Sequence, residues 1–397
     1  MDINNFGNYS PPQLASEEEC TGCTACISVC PKNCIMMEKD LYGFLRPVIN
    51  VKACNHCGLC QKSCPIINNV QQKPNKNQVY AAYSKDDGIR LASSSGGLFT
   101  EIAKTILDQH GIVWGASYDD SFIVRHIPIN SYSEIYRLQG AKYSQSVLAG
   151  VFPQIKKQLL EEIPVLFCGT PCQVYGLKNY LGKNYDNLLC IDFVCHSIPS
   201  PLAWEKYLGY RALKDNDGSM PISINMRSKV SGWSHYEYSV VINYGNKQYL
   251  RKSDQDLYLQ LFVKGYISRS SCYRCKFKGF NRISDITLGD CWGVWDFASQ
   301  MDDNKGTSLI IVHSDKGNSV LSAILKKISL VAISHEDAIK ENKAIFLSPS
   351  PCSNREFILS KAVSGDYDDL YKMINDKSFM QSIKGKIKHA LSFLVVK

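Results

Sequence analysis

The sequence predicts an α+β or mixed α/β chain, built as a small cysteine-dense module followed by a larger mixed α/β body. Three observations carry that prediction. Nine of the 17 cysteines lie between Cys20 and Cys64. From Val79 onward, short apolar runs alternate with segments of helical period. Between the two lies a polar, proline-interrupted stretch, Asn68–Asn77, that reads as a linker. The expected units are 1–67 for the module, 68–78 for the linker, 79–160 and 161–350 for two parts of one body, and 351–397 for a helical basic tail.

Composition narrows the class. With 397 residues, 45% of them apolar, the chain is long enough for more than one buried core. No run approaches the roughly 18 apolar residues of a membrane span, and the start MDINNFGNYSPPQ lacks the basic and apolar regions of a secretory leader. The net charge of +8 is spread along the chain, so no nucleic-acid partner is expected. An odd cysteine count, tightly clustered and without a leader, favours metal in a reducing, cytoplasmic setting over disulfides.

The cysteines are patterned. Cys20, Cys23, Cys26 and Cys30-Pro31 recur 34 residues later as Cys54, Cys57, Cys60 and Cys64-Pro65, both runs reading C-x₂-C-x₂-C-x₃-C-P. That is the spacing of bacterial two-cluster [4Fe–4S] ferredoxins, in which the fourth cysteine of each run serves the other cluster. One cluster should therefore take Cys20, Cys23, Cys26 and Cys64, and the other Cys54, Cys57, Cys60 and Cys30. Structural zinc also uses four thiolates, but two identical runs with trailing prolines fit it poorly. Cys34 falls outside the pattern and is expected to pack in the interior.

In the body, strands are expected at Val79–Tyr83, Gly111–Tyr118, Phe122–Pro128, Pro164–Cys168, Leu188–Cys195, Ile222–Arg227, Ser308–His313 and Leu330–Ile333. A further β-rich segment, Tyr236–Leu250, turns at Tyr244-Gly245-Asn246. Helices are expected at Leu98–Gln109, near Ser133–Leu138, from Pro171, from Pro201 and over Asp254–Gly265.

Four motifs stand out there. Ser93-Ser94-Ser95-Gly96-Gly97 opens a helix, where bare N–H groups suit a phosphate, although a plain serine cap reads the same. Gln139-Gly140-Ala141-Lys142-Tyr143-Ser144-Gln145-Ser146 mixes a glycine, a cation, an aromatic and small hydrogen-bonding residues, as a nucleotide site or an ordinary loop-to-strand junction would. Cys168-Gly169-Thr170-Pro171-Cys172 ends a strand where α/β sheets bind ligands. Cys195-His196 and the pair Cys272 and Cys275 precede Gly289-Asp290-Cys291-Trp292, and a lone C-x₂-C serves zinc, a redox pair or half a cluster site.

Together the motifs resemble the coenzyme F-420 hydrogenase and dehydrogenase beta-subunit family, which includes hydroxymethyl chlorophyll reductase. The resemblance runs from about Glu17 to about Gly317. SSSGGLFTEIA, LQGAKYSQS, CGTPCQV, DFVCHSIPS, CYRCKF, SDITLGDCWG and GTSLIIVHSDKG carry it, in family order after the double cysteine run. It implies bound FAD, redox catalysis and a further [4Fe–4S] cluster on Cys172, Cys195, Cys272 and Cys275; from the residues alone, Cys168 or Cys190 could take a place in that set. It also implies flavin contacts from Ser94, Ser95, Gly96, Gly97, Gly140, Lys142, Tyr143, Gln145, Ser146, Asp290 and Trp292. Ala141, Ser197 and Cys291 depart from the family pattern.

Lys142 is the candidate for stabilising reduced flavin or its phosphates, against a solvated surface lysine. His196 is the candidate proton donor, against a hydrogen-bonding neighbour of Cys195. Trp292 packs near the flavin or in the core. The expected function is a reductase for a small organic substrate or a deazaflavin-like coenzyme. An electron-transfer adaptor with a ferredoxin or other redox partner subunit is the second class, and a sensory protein without flavin the third. Met380, Ile383, Ile387, Leu391 and Leu394 with interleaved lysines allow a membrane-surface contact, against a packed terminal helix with a solvated lysine face.

Overall fold

The computed structural model describes residues 11–68, 77–234 and 237–375. Most of the expected linker and the amphipathic segment 376–397 lie outside the described residues.

The N-terminal module is a duplicated turn. Helix α1 (Ala25–Val29), strand β1 (Ile35–Lys39), strand β2 (Leu45–Ile49) and helix α2 (Leu59–Ser63) follow in order, with β1 and β2 antiparallel from Ile35↔Ile49 to Lys39↔Leu45. Each helix starts after a left-handed residue, Thr24 (φ 68°) or Gly58 (φ 71°). Each ends on a cysteine, Cys30 or Cys64, in extended conformation, because the following proline excludes the helical region there.

The body begins with β3 (Gln78–Ser84), α3 (Asp87–Ala92), α4 (Leu98–Leu107), β4 (Ile112–Tyr118), β5 (Val124–Ile129), α5 (Ile135–Leu138) and α6 (Val151–Leu160). It continues with β6 (Val165–Cys168), α7 (Pro171–Leu181), β7 (Leu188–Phe193), α8 (Pro201–Asn216), β8 (Ser223–Ser228), β9 (Ser239–Asn243), β10 (Gln248–Lys252) and α9 (Leu257–Val263). The last elements are β11 (Ile286–Asp290), α10 (Val294–Phe297), β12 (Ser308–Val312), α11 (Asp315–Ile324), β13 (Ile328–Ala332), α12 (His335–Lys340), α13 (Arg355–Ser364) and α14 (Tyr367–Asn375).

Eight strands form one sheet in the order β13-β3-β12-β11-β7-β6-β4-β5. Its centre, β11-β7-β6-β4, is parallel, and antiparallel strands flank it on both sides. The runs VLFC of β6 and LIIV of β12 are apolar throughout because helices cover both faces. Leu98, Ile102 and Ile106 of α4 pack on one face with Leu321 and Ile324 of α11. Phe152 and Ile155 of α6 pack on the other with Val174 and Leu177 of α7. A second sheet, β10-β9-β8, packs with α8, α9, α13 and α14 around a tyrosine-rich core.

Strand ends differ from the sequence expectation by one to three residues. The helix expected from Asp254 starts at Leu257, because the Asp256 carboxylate accepts the Leu259 N–H at 2.8 Å and caps it. The strand expected through Cys195 stops at Phe193, which leaves Cys195-His196 in a loop at the carboxyl end of β7. Among the described residues no helix is long and apolar enough to cross a membrane.

One buried ion pair ties the loop before β11 to β7. Arg282 donates to Asp192 at 3.1 Å, with both side chains 1% exposed, and Thr287 Oγ1 donates to the same carboxylate at 2.5 Å. Arg282→Met strands a buried carboxylate and should cost about 3–5 kcal/mol in denaturant titration. Arg282→Met combined with Asp192→Leu should recover most of that loss. Equal stability of wild type and Arg282→Met would show the pair to be idle.

Candidate functional site

The first thiol set, Cys20, Cys23, Cys26 and Cys64, lines a small apolar recess closed by Met37, Pro47 and Ile66. Burial pushes the Cys26 thiol up to about 12, with Cys20 and Cys64 adding to the rise. In the second set, Cys60 faces Cys54 and Cys30, while Cys57 is exposed. Cys34 is buried as expected, with its sulfur 3.4 Å from that of Cys30. The first set is therefore the inner one, against the body, and the second is the outer one.

A third set forms in the body. Cys172, Cys195, Cys272 and Cys275 line one cavity of about 390 Å³ at the carboxyl ends of β6 and β7. Three segments bring them there. Thr170 and Gln173 form a reciprocal capping box around Pro171, which fixes Cys172 in the first turn of α7. Cys195 follows β7, and Cys272 and Cys275 lie on a short 3₁₀ turn over Ser270–Arg274 and at its end. Burial pushes the Cys172 thiol up to about 12 and Cys272 to about 11, and holds Cys195 well above its usual range. Thiols buried this deeply become thiolates when a metal takes up the charge. Among the described residues no three His, Cys, Asp or Glu side chains converge on a single ion. The sulfurs line a shared recess in the inner set, as they do in this one.

The inner set and the cavity set meet across α7. Gly176 lies one turn beyond Cys172, and a Cβ there would come within 2.9 Å of both Cβ and Sγ of Cys23. Thr21 and Ile66 line both recesses.

The expected flavin residues divide. Ser94, Tyr143, Asp290 and Trp292 gather around Arg227, which sequence reasoning missed. Arg227 forks onto Asp290 at 3.0 and 3.1 Å, reaches Ser94 O at 3.4 Å and Tyr143 Oη at 3.5 Å, and sits 5.3 Å from the Trp292 ring. Lys229 caps Ser95 O at 2.6 Å, and Trp233 stacks on Trp292 at 4.8 Å. Gly96 is glycine because a Cβ would strike Ala82 O at 2.5 Å, and Gly97 precedes α4 at φ +86°. Lys142 hydrogen-bonds Gln139 O at 2.7 Å and Gly140 O at 3.3 Å.

Two residues of the segment serve other contacts. Gln145 Oε1 accepts from Leu45 N at 3.2 Å and from Arg269 at 3.1 Å, at the junction with the N-terminal module. Ser146 Oγ lies 2.7 Å from Nδ1 of His126, inside the body. His196 lines the cysteine cavity and meets Phe262 edge-on at 5.3 Å, and Phe262 packs on Tyr143 at 4.8 Å. Its Nε2 is buried with no hydrogen-bond partner.

The module and the arrangement of thiols define an iron–sulfur protein of the electron-transfer kind. Residues 19–67 match the 4Fe-4S dicluster domain family. Residues 164–337 match the family described as the C terminus of the beta subunit of coenzyme F420 hydrogenase/dehydrogenase. Residues 164–337 are thus similar to the C-terminal part of that beta subunit, and the N-terminal module to the dicluster family. Among curated proteins, the ferredoxin-type protein NapF of Haemophilus influenzae is 39% identical over 44 residues, 11% of this chain and 25% of the relative. The uncharacterized protein MJ1349 of Methanocaldococcus jannaschii is 23% identical over 202 residues, 43% of this chain and 54% of the relative. The chain thus spans a quarter and about half the length of these two relatives. A chain of the xenon-derivatized F420-reducing [NiFe] hydrogenase complex from Methanosarcina barkeri aligns at 14% identity and a TM-score of 0.44, over 74% of this chain and 90% of that one.

Two helical glycines give a matched test of the seam. Gly176→Ala should push Cys23 away, lowering both the thermal midpoint and the iron bound. Gly209→Ala, where nothing lies within 4 Å, should raise the midpoint, since alanine favours a helix by about 1 kcal/mol. Equal midpoints and iron contents for the two variants would contradict the close contact at Gly176.

Proposed function

We propose that this chain is an iron–sulfur flavoprotein oxidoreductase of the coenzyme F-420 hydrogenase/dehydrogenase beta-subunit kind. In this reading it moves electrons between [4Fe–4S] clusters and FAD, and so reduces or oxidises a small organic substrate or a deazaflavin-like coenzyme. One observation carries it: four thiols from three separate segments surround a single cavity beside the inner ferredoxin set. These thiols, Cys172, Cys195, Cys272 and Cys275, hold a third cluster. His196 and Phe262 then connect that cavity to Tyr143 in the Arg227 cluster.

The Arg227 region suits an anionic nucleotide. Arg90 is matched by Asp303 and Arg227 by Asp290, while Lys229 caps two carbonyls and pairs with no carboxylate among the described residues. Lys229 thus lies without a carboxylate partner near the N-terminus of α4, whose first turn also holds the buried Glu101 carboxylate bonded by Ser84, and Arg227 Nε is buried without a partner. Ser94, Ser95, Gly96, Gly97, Arg227 and Lys229 would hold the diphosphate, with Gly140, Lys142, Tyr143, Asp290 and Trp292 toward the ring. FAD supplies the exchange between paired and single electrons. His196 and Lys142 are the groups placed to hold or move protons.

The adaptor reading has its own support. Met36 and Val48 pair across β1 and β2 and are 60% and 43% exposed, with Leu41, Val51 and Leu59 also exposed on the module. Exposed apolar side chains gathered on a small module suit a partner's surface. Co-purification of a larger catalytic subunit from the native host would favour this second reading.

Anaerobically reconstituted protein should bind about twelve irons, four per cube, and Cys272→Ser with Cys275→Ser should remove about four. The double variant should also slow reduction of bound flavin by the clusters. An unchanged iron count would refute the third cluster.

Flavin loading should take up protons. Burial pushes the amines of Lys142 and Lys229 down to about 7, and the Arg90 charge adds to the drop at Lys229. Both are therefore largely neutral at pH 8, and a bound diphosphate raises the proton affinity of Lys229. Calorimetry of FAD binding at pH 8 in buffers of different ionisation heat should show that uptake, and Lys229→Met should reduce it. Enthalpies independent of buffer would exclude the anion site.

A further inference from the structure

Arg269 closes the cysteine cavity on the side of the N-terminal module, and it is a buried cation without a paired carboxylate. It is 1% exposed. Its guanidinium donates to neutral acceptors: Cys20 O at 2.7 Å, Leu45 O at 2.9 Å and Gln145 Oε1 at 3.1 Å. Among the described residues no carboxylate lies within 4 Å of it, whereas Arg282 on the same cavity has Asp192 and nearby Arg46 has Asp40. An unmatched charge is costly to bury, so the surroundings must supply an anion. Cys20 of the inner set and Cys272 and Cys172 of the cavity set face it, with the paired charges of Arg46 and Asp40 beyond hydrogen-bond reach. Lys278 repeats the pattern across the cavity, donating to Cys195 O at 2.6 Å and Ala344 O at 2.8 Å, with Cys195 and Cys272 facing its charge.

We propose that Arg269 is a potential-setting residue shared by two clusters, its buried charge favouring the reduced state of both the inner ferredoxin cluster and the cavity cluster. This rests, for the second of the two, on the reading of Cys172, Cys195, Cys272 and Cys275 as ligands. An oxidised cube with four thiolates is a dianion, and reduction adds one more negative charge. A fixed cation in a low-dielectric seam therefore stabilises the reduced form most and raises the potential. A guanidinium keeps its charge at every physiological pH, so the effect is constant. The strongest influences on Cys30 and Cys60 of the outer set are burial, backbone N–H groups and other thiols. No cation is among them, so the outer cluster is not expected to share the Arg269 effect.

The test is an EPR-monitored redox titration of the anaerobically reconstituted full chain. Arg269→Gln should lower the midpoints of the inner and cavity clusters and leave the outer one in place, and Arg269→Lys should restore both toward wild type. Unchanged midpoints in Arg269→Gln, or an equal shift of all three clusters, would overturn the proposal. Lys278→Met serves if Arg269→Gln fails to hold its clusters: it should lower the cavity cluster alone, and a shift of both or of neither counts against the charge model. Should wild type hold only about eight irons, the ligand reading fails on its own, and the inner-cluster shift in Arg269→Gln still decides whether Arg269 sets a potential.

Discussion

Electron transfer between buried centres falls off steeply with distance, so the close approach of the N-terminal module to helix α7 governs what the rest of the molecule can do. One face of α7 makes that approach. Cys172 sits in its first turn and Gly176 four residues later, on the same side of the helix. The helix thereby offers a cavity thiol and, one turn on, a bare patch of backbone against which Cys23 rests. The capping box of Thr170 and Gln173 sets where the helix starts, and hence where both residues point. Gly22 does the same from the other side: at φ +71° it lets Gln145 and Arg269 reach the module, where a Cβ would collide with the Gln145 amide.

Charge balance follows the same geometry. Between β7 and the loop before β11, the buried Arg282–Asp192 pair is matched and is hydrogen-bonded through Thr287 to His313. Around the thiols the pattern reverses, with thiols raised by burial and cations bonded to carbonyls. Each half is unfavourable by itself, and the two become complementary when the sulfurs carry negative charge. The body is charge-matched at the Arg282–Asp192 pair and charge-imbalanced where a cluster would lie.

Much of the molecule was legible in the sequence, for reasons that differ by part. The cysteine runs announce their chemistry by spacing alone, and the structure groups Cys64 with Cys20, Cys23 and Cys26 as the fourth-cysteine rule implies. The alternating body was legible because strands buried on both faces are short apolar runs between helical periods. The cavity set was harder, since Cys172 and Cys275 are far apart in the chain and meet only through sheet topology. Arg227, Lys229, Arg269 and Lys278 left no trace: single cations in strands and loops have no period or spacing to betray what they face. Gln145 and Ser146 belong to a motif shaped like a nucleotide loop, but their side chains serve the module junction and His126. A motif places a segment near a site without saying which of its side chains turn toward it.

The central claim is that a third cluster bridges the ferredoxin module and the body. Anomalous diffraction at the iron edge, from crystals grown anaerobically, tests it most directly. Three iron peaks are expected: two within the N-terminal module and one enclosed by Cys172, Cys195, Cys272 and Cys275, next to the inner peak across Gly176. Two peaks, with none among those four sulfurs, would contradict the account.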